Sequence, residues 1–352
     1  MRCKVLVLTK YGSLGSSSRY RFYQYLPYLR SQDFDLTVSP LLDNKYILEM
    51  NVGKRNSTNI LLLYFQRLRR LIIDRNYDLL WIEKELLPYI PAWLESILTP
   101  NIPYVVDYDD AQFHGYDTGS KLKKFILAQK IDKVMVNARL VVAGNQYIAA
   151  RAGIAGAKRI EIIPTVIDLD RYSSKSSTTN DRSFNIGWIG SPNTSRYLKS
   201  IQSVFENLTQ KYNSRVTLVG SGSVTLGNID LRIKDWFENS EVEDIKGFDV
   251  GIMPLHNTPW ERGKCGIKLI QYMACGLPVV GTPIGVNQEI IQHGVNGFCA
   301  DSLDEWTEYL SRLAEDPQLR DAMGAAGRVM VESSYCLQVT APKLAKLLRS
   351  CI

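Results

Sequence analysis

Two doubly wound αβα domains in one chain are what this sequence predicts, and three observations carry the prediction. From residue 4 onward, short apolar or β-branched runs alternate with longer amphipathic segments, the pattern of parallel strands joined by crossover helices. The pattern halts in a polar, serine-rich stretch without periodicity at residues 171–183, then begins again. The length of 352 residues also exceeds a single ordinary core of about 150 residues.

In the first half the pattern predicts strands at residues 4–9, 34–39, 77–83, 102–107, 140–144 and 160–164. Helices are expected between them at 18–31, 59–75, 86–98, 121–138 and 146–152. The opening run Val5-Leu-Val-Leu8 is far shorter than a signal-peptide core and leads straight into a polar glycine turn, so it reads as the first strand. In the second half strands are expected at 184–189, 215–219, 248–253, 278–281 and 297–300, with helices at 194–212, 264–274 and 304–314. The tail, 317–348, reads as helical with a break near 333–335. The resulting division is 1–172, a linker at 173–183, 184–335, and a last helix at 336–352 expected to pack back toward the first domain.

Composition excludes several classes. A hydrophobic share of 45% and a charged share of 22% are those of a soluble globular chain. The net charge of +6 suits acidic small molecules or an anionic membrane face and is too weak and undirected for nucleic acid. Six cysteines without a Cys-x-x-Cys pair, and only three histidines, point to a reduced, cytoplasmic protein without structural zinc. No apolar run approaches the roughly 20 residues of a spanning helix. Any membrane contact is therefore expected to be peripheral, at the inner face.

The chemistry concentrates in a few stretches. Trp260-Glu-Arg-Gly-Lys-Cys-Gly-Ile-Lys-Leu-Ile-Gln-Tyr-Met-Ala-Cys-Gly-Leu-Pro-Val-Val280 sets a glycine-punctuated basic loop before a helix, ends the helix at Gly276 and launches a strand. Exposed N–H groups at a helix start beside Arg262 and Lys264 suit a phosphate-bearing ligand. Lys10-Tyr-Gly-Ser-Leu-Gly15 follows the first strand, leading to Arg19 and Arg21. Asp107-Tyr-Asp-Asp110 gathers carboxylates at the end of another strand, at the mouth of the sheet, where such a cluster is rarely structural. Residues 59–73, with Arg67, Arg69, Arg70 and then Arg75, form a basic amphipathic helix that either docks on anionic lipid or packs on the sheet.

With these motifs placed, nearly the whole chain resembles glycosyltransferase family 4, retaining enzymes of the GT-B architecture, in which two Rossmann-like αβα domains face each other across a cleft. Met273-Ala-Cys-Gly-Leu-Pro-Val-Val280 matches the second half of the family signature, and Gly285, Glu289-Ile-Ile291 and Gly294-Val-Asn-Gly297 match its continuation. The Glu-x7-Glu before it is altered, Gln271 standing for the second glutamate and Gly263 for the first. A Gln271 amide oxygen still accepts a ribose hydroxyl, more weakly than a carboxylate. Gly263 cannot hold donor-sugar hydroxyls by a side chain; either backbone groups of residues 263–266 take over or Glu261 reaches in. The family arginine after the second domain's first strand falls at Ser191, beside Gly190, and the lysine five residues on falls at Arg196. The histidine near the reacting carbon is replaced by Asp109.

The resemblance implies a nucleotide-diphosphate sugar as donor, a carbohydrate or lipid-linked hydroxyl acceptor, and no cofactor or metal. It makes Asp109 and Asp110 the expected catalytic residues. The expected donor-binding set is Gly12, Gly15, Gly190, Ser191, Arg196, Lys264, Cys265, Gly266, Ile267 and Gln271, with closure assembling Asp109 against Lys264 and Arg196. Three rivals remain. Asp107-Tyr-Asp109 spells a metal-binding Asp-x-Asp of the other major glycosyltransferase fold. An NAD-linked dehydrogenase also pairs αβ domains, although the turn here lacks its Gly-x-Gly-x-x-Gly. A non-catalytic nucleotide-sugar-binding protein would explain the missing glutamate.

Overall fold

A computed structural model describes residues 2–51, 57–74, 76–98, 102–118, 120–175 and 183–352. Most of the expected linker, and Arg75 of the basic helix, lie outside the described residues. By contact the chain forms two units, Met1–Thr165 with Gly263–Cys265 and Thr340–Ile352, and Val166–Arg262 with Gly266–Val339.

The first unit is built on strands β1 (Cys3–Tyr11), β2 (Phe34–Leu42), β3 (Leu79–Glu83), β4 (Tyr104–Tyr108), β5 (Leu140–Ala143) and β6 (Ile160–Ile162). They pair in parallel in the order β2-β1-β3-β4-β5-β6. Val5, Leu6, Val7 and Leu8 of β1 are all fully buried, as a parallel strand covered by helices on both faces requires. The helix Gln146–Ala155 follows from its ends: the Asn145 side chain accepts from Ile148 N–H, and Gly156 closes it at φ +90°.

Local chemistry cuts three of the expected helices shorter. Residues 18–31 divide into Ser16–Arg21, the 3₁₀ turn Tyr23–Tyr25 and Leu26–Ser31, because Phe22 leaves helical geometry at φ −128° and Pro27 opens a new first turn. Residues 86–98 are helical only over Ala92–Leu98, since Pro88 and Pro91 lack the N–H groups a helix would use. Residues 121–138 divide into Lys121–Leu127 and Lys130–Asn137.

The second unit carries β7 (Asn185–Ile189), β8 (Arg215–Val219), β9 (Asp230–Lys234), β10 (Val250–Met253), β11 (Val279–Gly281) and β12 (Gly297–Cys299). Their parallel order is β12-β11-β10-β7-β8-β9. β9 is absent from the sequence expectation: Asp-Leu-Arg-Ile-Lys lies at a sheet edge, largely exposed, and carries the charges that protect an edge. The expected helix at 194–212 opens with the 3₁₀ turn Ser195–Ile201 before Gln202–Tyr212. The helix expected from 264 begins at Ile267, with Gly266 as its cap at φ +65°. Helix Leu303–Glu315 starts with a reciprocal Ser302–Glu305 capping box, and the tail forms Pro317–Ser334 and Leu337–Arg349.

Within each sheet the strand order reverses at one point, between β1 and β3 in the first and between β7 and β10 in the second. Crossovers leave in opposite directions there, opening a crevice outside the strand carboxyl ends. Residues 12–15 and Lys84 follow β1 and β3; Gly190 follows β7.

Candidate active site

In the first unit, β3 and β4 end side by side, with Glu83 in register with Asp107. Asp107 is wholly engaged. Arg21 from the first helix grips both its oxygens (Nε–Oδ1 2.7 Å, Nη2–Oδ2 3.0 Å) and donates through Nη1 to Ile163 O at 2.7 Å. This buried bidentate pair clamps the first helix to β4, so Arg21 is no helix-surface charge and Asp107 no free ligand. Arg19 is buried as well.

Two residues further on, Asp109 meets Lys84. The ammonium lies 2.8 Å from Asp109 Oδ1 and 3.3 Å from Asp110 Oδ2, and donates to Ser17 Oγ at 3.2 Å; Ser17 in turn donates to the second oxygen of Asp109. Side-chain exposure is 6% for Lys84, 11% for Asp109 and 30% for Asp110, so Asp110 is the carboxylate most open to a ligand. Burial pushes the Asp109 carboxyl up, but the Lys84 charge and hydrogen bonds from Lys84 and Ser17 hold it below the usual carboxylate range. Beside it, Glu83 accepts from Lys10 N–H (2.7 Å) and Ser18 Oγ (2.6 Å), and burial raises its pKa.

The sequence reading places Asp109 and Asp110 together and misses Lys84 and Ser17. The available signal is the triplet Glu83-Lys84-Glu85 directly behind a buried strand, which reads as solvated charge until the fold buries all three.

The glycine turn lies across the reversal point from Lys84. Gly15 N–H donates to Gly12 O at 3.0 Å, and Leu14 N–H to Asn44 Oδ1 at 3.0 Å. Segment Gly263–Cys265 also belongs to this unit. Asn145 Nδ2 donates to the carbonyls of Gly263 (3.0 Å) and Lys264 (3.1 Å). Cys265 sits in the apolar core and burial pushes its thiol up to about 12, which makes it a packing residue rather than a ligand-facing one. A Cβ at 263 would lie 2.4 Å from Ala111 Cβ and 2.8 Å from its nitrogen. The missing glutamate thus has a physical reason: no side chain fits there.

In the second unit, Gly190 ends β7 at the reversal point. A Cβ at Gly190 would stand 2.6 Å from Lys268 Nζ, which itself lies over the Trp188 ring at 4.1 Å and 3.4 Å from Thr194 Oγ1. Ser191 and Thr194 close the turn that follows, Ser191 N–H donating to Thr194 Oγ1 at 3.2 Å. The arrangement gathers a cation and two hydroxyls, groups that suit a phosphate, while the N–H groups of Gly190, Ser191, Thr194 and Ser195 are taken up by Val219 O, Thr194 Oγ1 and Ser191 O. Lys268, on the first turn of helix Ile267–Ala274, is therefore the cation beside Gly190. Lys264 is not on that helix. In the sequence Lys268 carries no mark of this role, since a lysine on a helix face, one turn before Gln271, reads as solvated charge.

The other expected residues fall in three places. Arg196 is 66% exposed, lies over the Tyr197 ring at 5.1 Å, and is 3.7 Å from Glu261. Glu261 is buried and accepts from Tyr197 OH and Thr258 Oγ1, so it is no solvated loop charge. Gln271 is buried too, its amide donating to Tyr172 OH at 3.2 Å, which donates to Glu241 at 2.6 Å.

Comparison with known proteins follows this division. The family model for glycosyl transferases group 1 matches residues 183–316, the stretch holding Gly190, Lys268 and Gln271. A D-inositol 3-phosphate glycosyltransferase of Streptosporangium roseum is 30% identical over 115 residues, 32% of this chain and 23% of that relative. A second, from Thermobispora bispora, is 28% identical over 38% of this chain and 31% of its own length, so the matched part spans under a third of these relatives. Sucrose-phosphate synthase from Thermosynechococcus elongatus superposes over 99% of both chains with a TM-score of 0.73 at 14% identity. Anabaena HepE, crystallised with UDP and glucose, superposes over 99% of this chain and 100% of its own with a TM-score of 0.72 at 18% identity.

The fold is GT-B. Its two Rossmann-like domains are the two parallel six-stranded sheets described above.

Proposed function

We propose that this chain is a retaining, metal-independent glycosyltransferase, of family 4 by its signature, that moves a sugar from a nucleotide-diphosphate sugar to a hydroxyl acceptor in polysaccharide or glycolipid biosynthesis. The observation that carries the reading is Lys268 packed against Gly190 at the strand-order reversal of the very segment that matches the glycosyl transferases group 1 model. There the lysine and the turn offset the diphosphate charge that grows as the glycosidic bond breaks, usually the largest catalytic contribution. Ser191 and the exposed Arg196 extend the phosphate contact, and Gln271 serves the nucleoside.

At the first unit's reversal point, Asp109 or Asp110 accepts a hydrogen bond from the donor sugar and stabilises the oxocarbenium-like carbon. The acceptor hydroxyl attacks from the face the leaving phosphate occupies and gives that phosphate its proton. No cofactor takes part. The Asp-x-Asp rival loses ground on the pairing of its carboxylates, Asp107 with Arg21 and Asp109 with Lys84.

The reading is tested by screening nucleotide sugars for slow donor hydrolysis, with uridine diphosphate sugars first because HepE was crystallised with UDP-glucose. One donor is expected to release its diphosphate equally well with and without a chelator. Loss of turnover in chelator, restored by manganese, overturns the metal-independent part; nucleotide binding without turnover on any acceptor favours the binding-protein rival.

A lipid-linked acceptor at the cytoplasmic membrane face is supported by the helix Ser57–Ile73. Leu61, Leu62, Phe65, Ile72 and Ile73 are exposed, and Trp93 and Ile97 are exposed on the helix packed beside it. Arg69 is exposed and Arg70 partly so, whereas Arg67 is buried and donates to Thr9 O and Ser39 O at 2.8 Å. The face is therefore more apolar and less basic than the sequence suggests. Among the described residues no helix is long and apolar enough to cross a membrane.

A further inference from the structure

Lys84 occupies a conformation that its residue type disfavours. Its φ is +63°, in the left-handed region, where a residue with a Cβ is strained. A glycine would follow the same path without that cost, so the backbone alone gives no reason for lysine here. Its N–H donates to Asp107 O at 2.9 Å, which fixes the turn directly behind β3 and aims the side chain along the end of β4.

The ammonium donates to Ser17 Oγ and Asp110 Oδ2 and forms an ion pair with Asp109 Oδ1 at 2.8 Å. One buried cation thereby ties the ends of β3 and β4 to the first helix. We propose that Lys84 is a positioning residue for sugar transfer: its ammonium, held between the Asp109 and Asp110 carboxylates and Ser17, fixes the two carboxylates in one orientation. The proposal rests on the reading that Asp109 serves the donor sugar.

The charge balance around Asp109 explains why such a cation is needed. Glu83 faces it from the end of β3, Asp107 and Asp110 from the end of β4, Arg21 from the first helix and the Cys265 thiol from segment Gly263–Cys265. Arg21 is already committed to Asp107. Without Lys84, burial and the neighbouring carboxylates would together favour the protonated form of Asp109, which accepts hydrogen bonds more weakly and has lost the charge that stabilises a positive centre. With Lys84 in place the anion persists well into acid.

The test compares pH profiles of donor hydrolysis for the wild type, Lys84→Met, Lys84→Arg, Ser17→Ala and Asp109→Asn. Lys84→Met is expected to lower kcat by about 100-fold with donor KM little changed, and to move the acid limb up by at least about one pH unit. Lys84→Arg should return the limb most of the way, because the cation is restored. Ser17→Ala, which removes one hydrogen bond and leaves the ion pair, should move the limb in the same direction by less, and it decides the matter if Lys84→Met does not fold. An acid limb that stays in place in both Lys84→Met and Ser17→Ala overturns the proposal. Asp109→Asn separates the two levels: if it retains activity, the reading of Asp109 fails; if it is inactive while Lys84→Met is unimpaired, the role of Lys84 fails.

Discussion

At the scale of one residue, position 263 has no room for a side chain. Ala111 lies against the glycine through both its backbone and its Cβ. Gly263→Glu should therefore restore no sugar contact. It is expected to lower stability by about 2–3 kcal/mol, the cost of overpacking a closed site, and to leave donor hydrolysis unimproved. Thermal melting with parallel activity assays checks this; a stable, more active variant would show that a side chain at 263 is accommodated and useful. The same scale shows what sequence alone could and could not disclose. The position of Asp109 and Asp110 behind a strand is legible, because a buried apolar run marks the strand's end, whereas Gly190 and Ser191 stand out through the family resemblance alone. Lys84 and Lys268 are not legible, since a lysine behind a strand or on a helix face reads as solvated charge until the fold brings acceptors, or a glycine, within reach.

Among the elements, legibility follows how strongly each segment depends on its own pattern. The buried parallel strands are plain, because a strand covered on both faces must be apolar throughout. β9 is hidden, because an edge strand is written in charges. Helix ends move where a proline or a left-handed residue overrides periodicity, as at Pro91 and Gly266. Gly266 caps helix Ile267–Ala274 at φ +65° with Ile290 Cδ1 2.5 Å from where a Cβ would stand. Gly266→Ala is expected to cost about 2 kcal/mol and to weaken donor binding by displacing Lys268, both measurable by denaturant titration and calorimetry. A variant as stable as the wild type would contradict the capping role. The helix Ser57–Ile73 carries a different expectation: Leu61→Glu with Phe65→Glu should reduce flotation with vesicles containing anionic lipid several-fold while sparing hydrolysis of soluble donor. Unchanged flotation would remove the membrane proposal.

For the whole molecule, the restart of the strand–helix pattern after residue 183 is what made two sheets legible, and each sheet reverses its strand order where its candidate residues stand. The first reversal gathers carboxylates balanced by a buried lysine; the second gathers a lysine and two hydroxyls. The donor was not legible, because nucleoside and sugar selection rests on loop contacts that periodicity does not encode. The most direct measurement is calorimetric titration of the full chain with nucleotide-diphosphate sugars, for the wild type and Lys268→Met, alongside donor hydrolysis. The account predicts that one donor binds and is slowly hydrolysed, and that Lys268→Met weakens its binding by at least about tenfold while the fold is kept. Equal donor affinity in the two proteins, or no affinity for any nucleotide sugar, would contradict it.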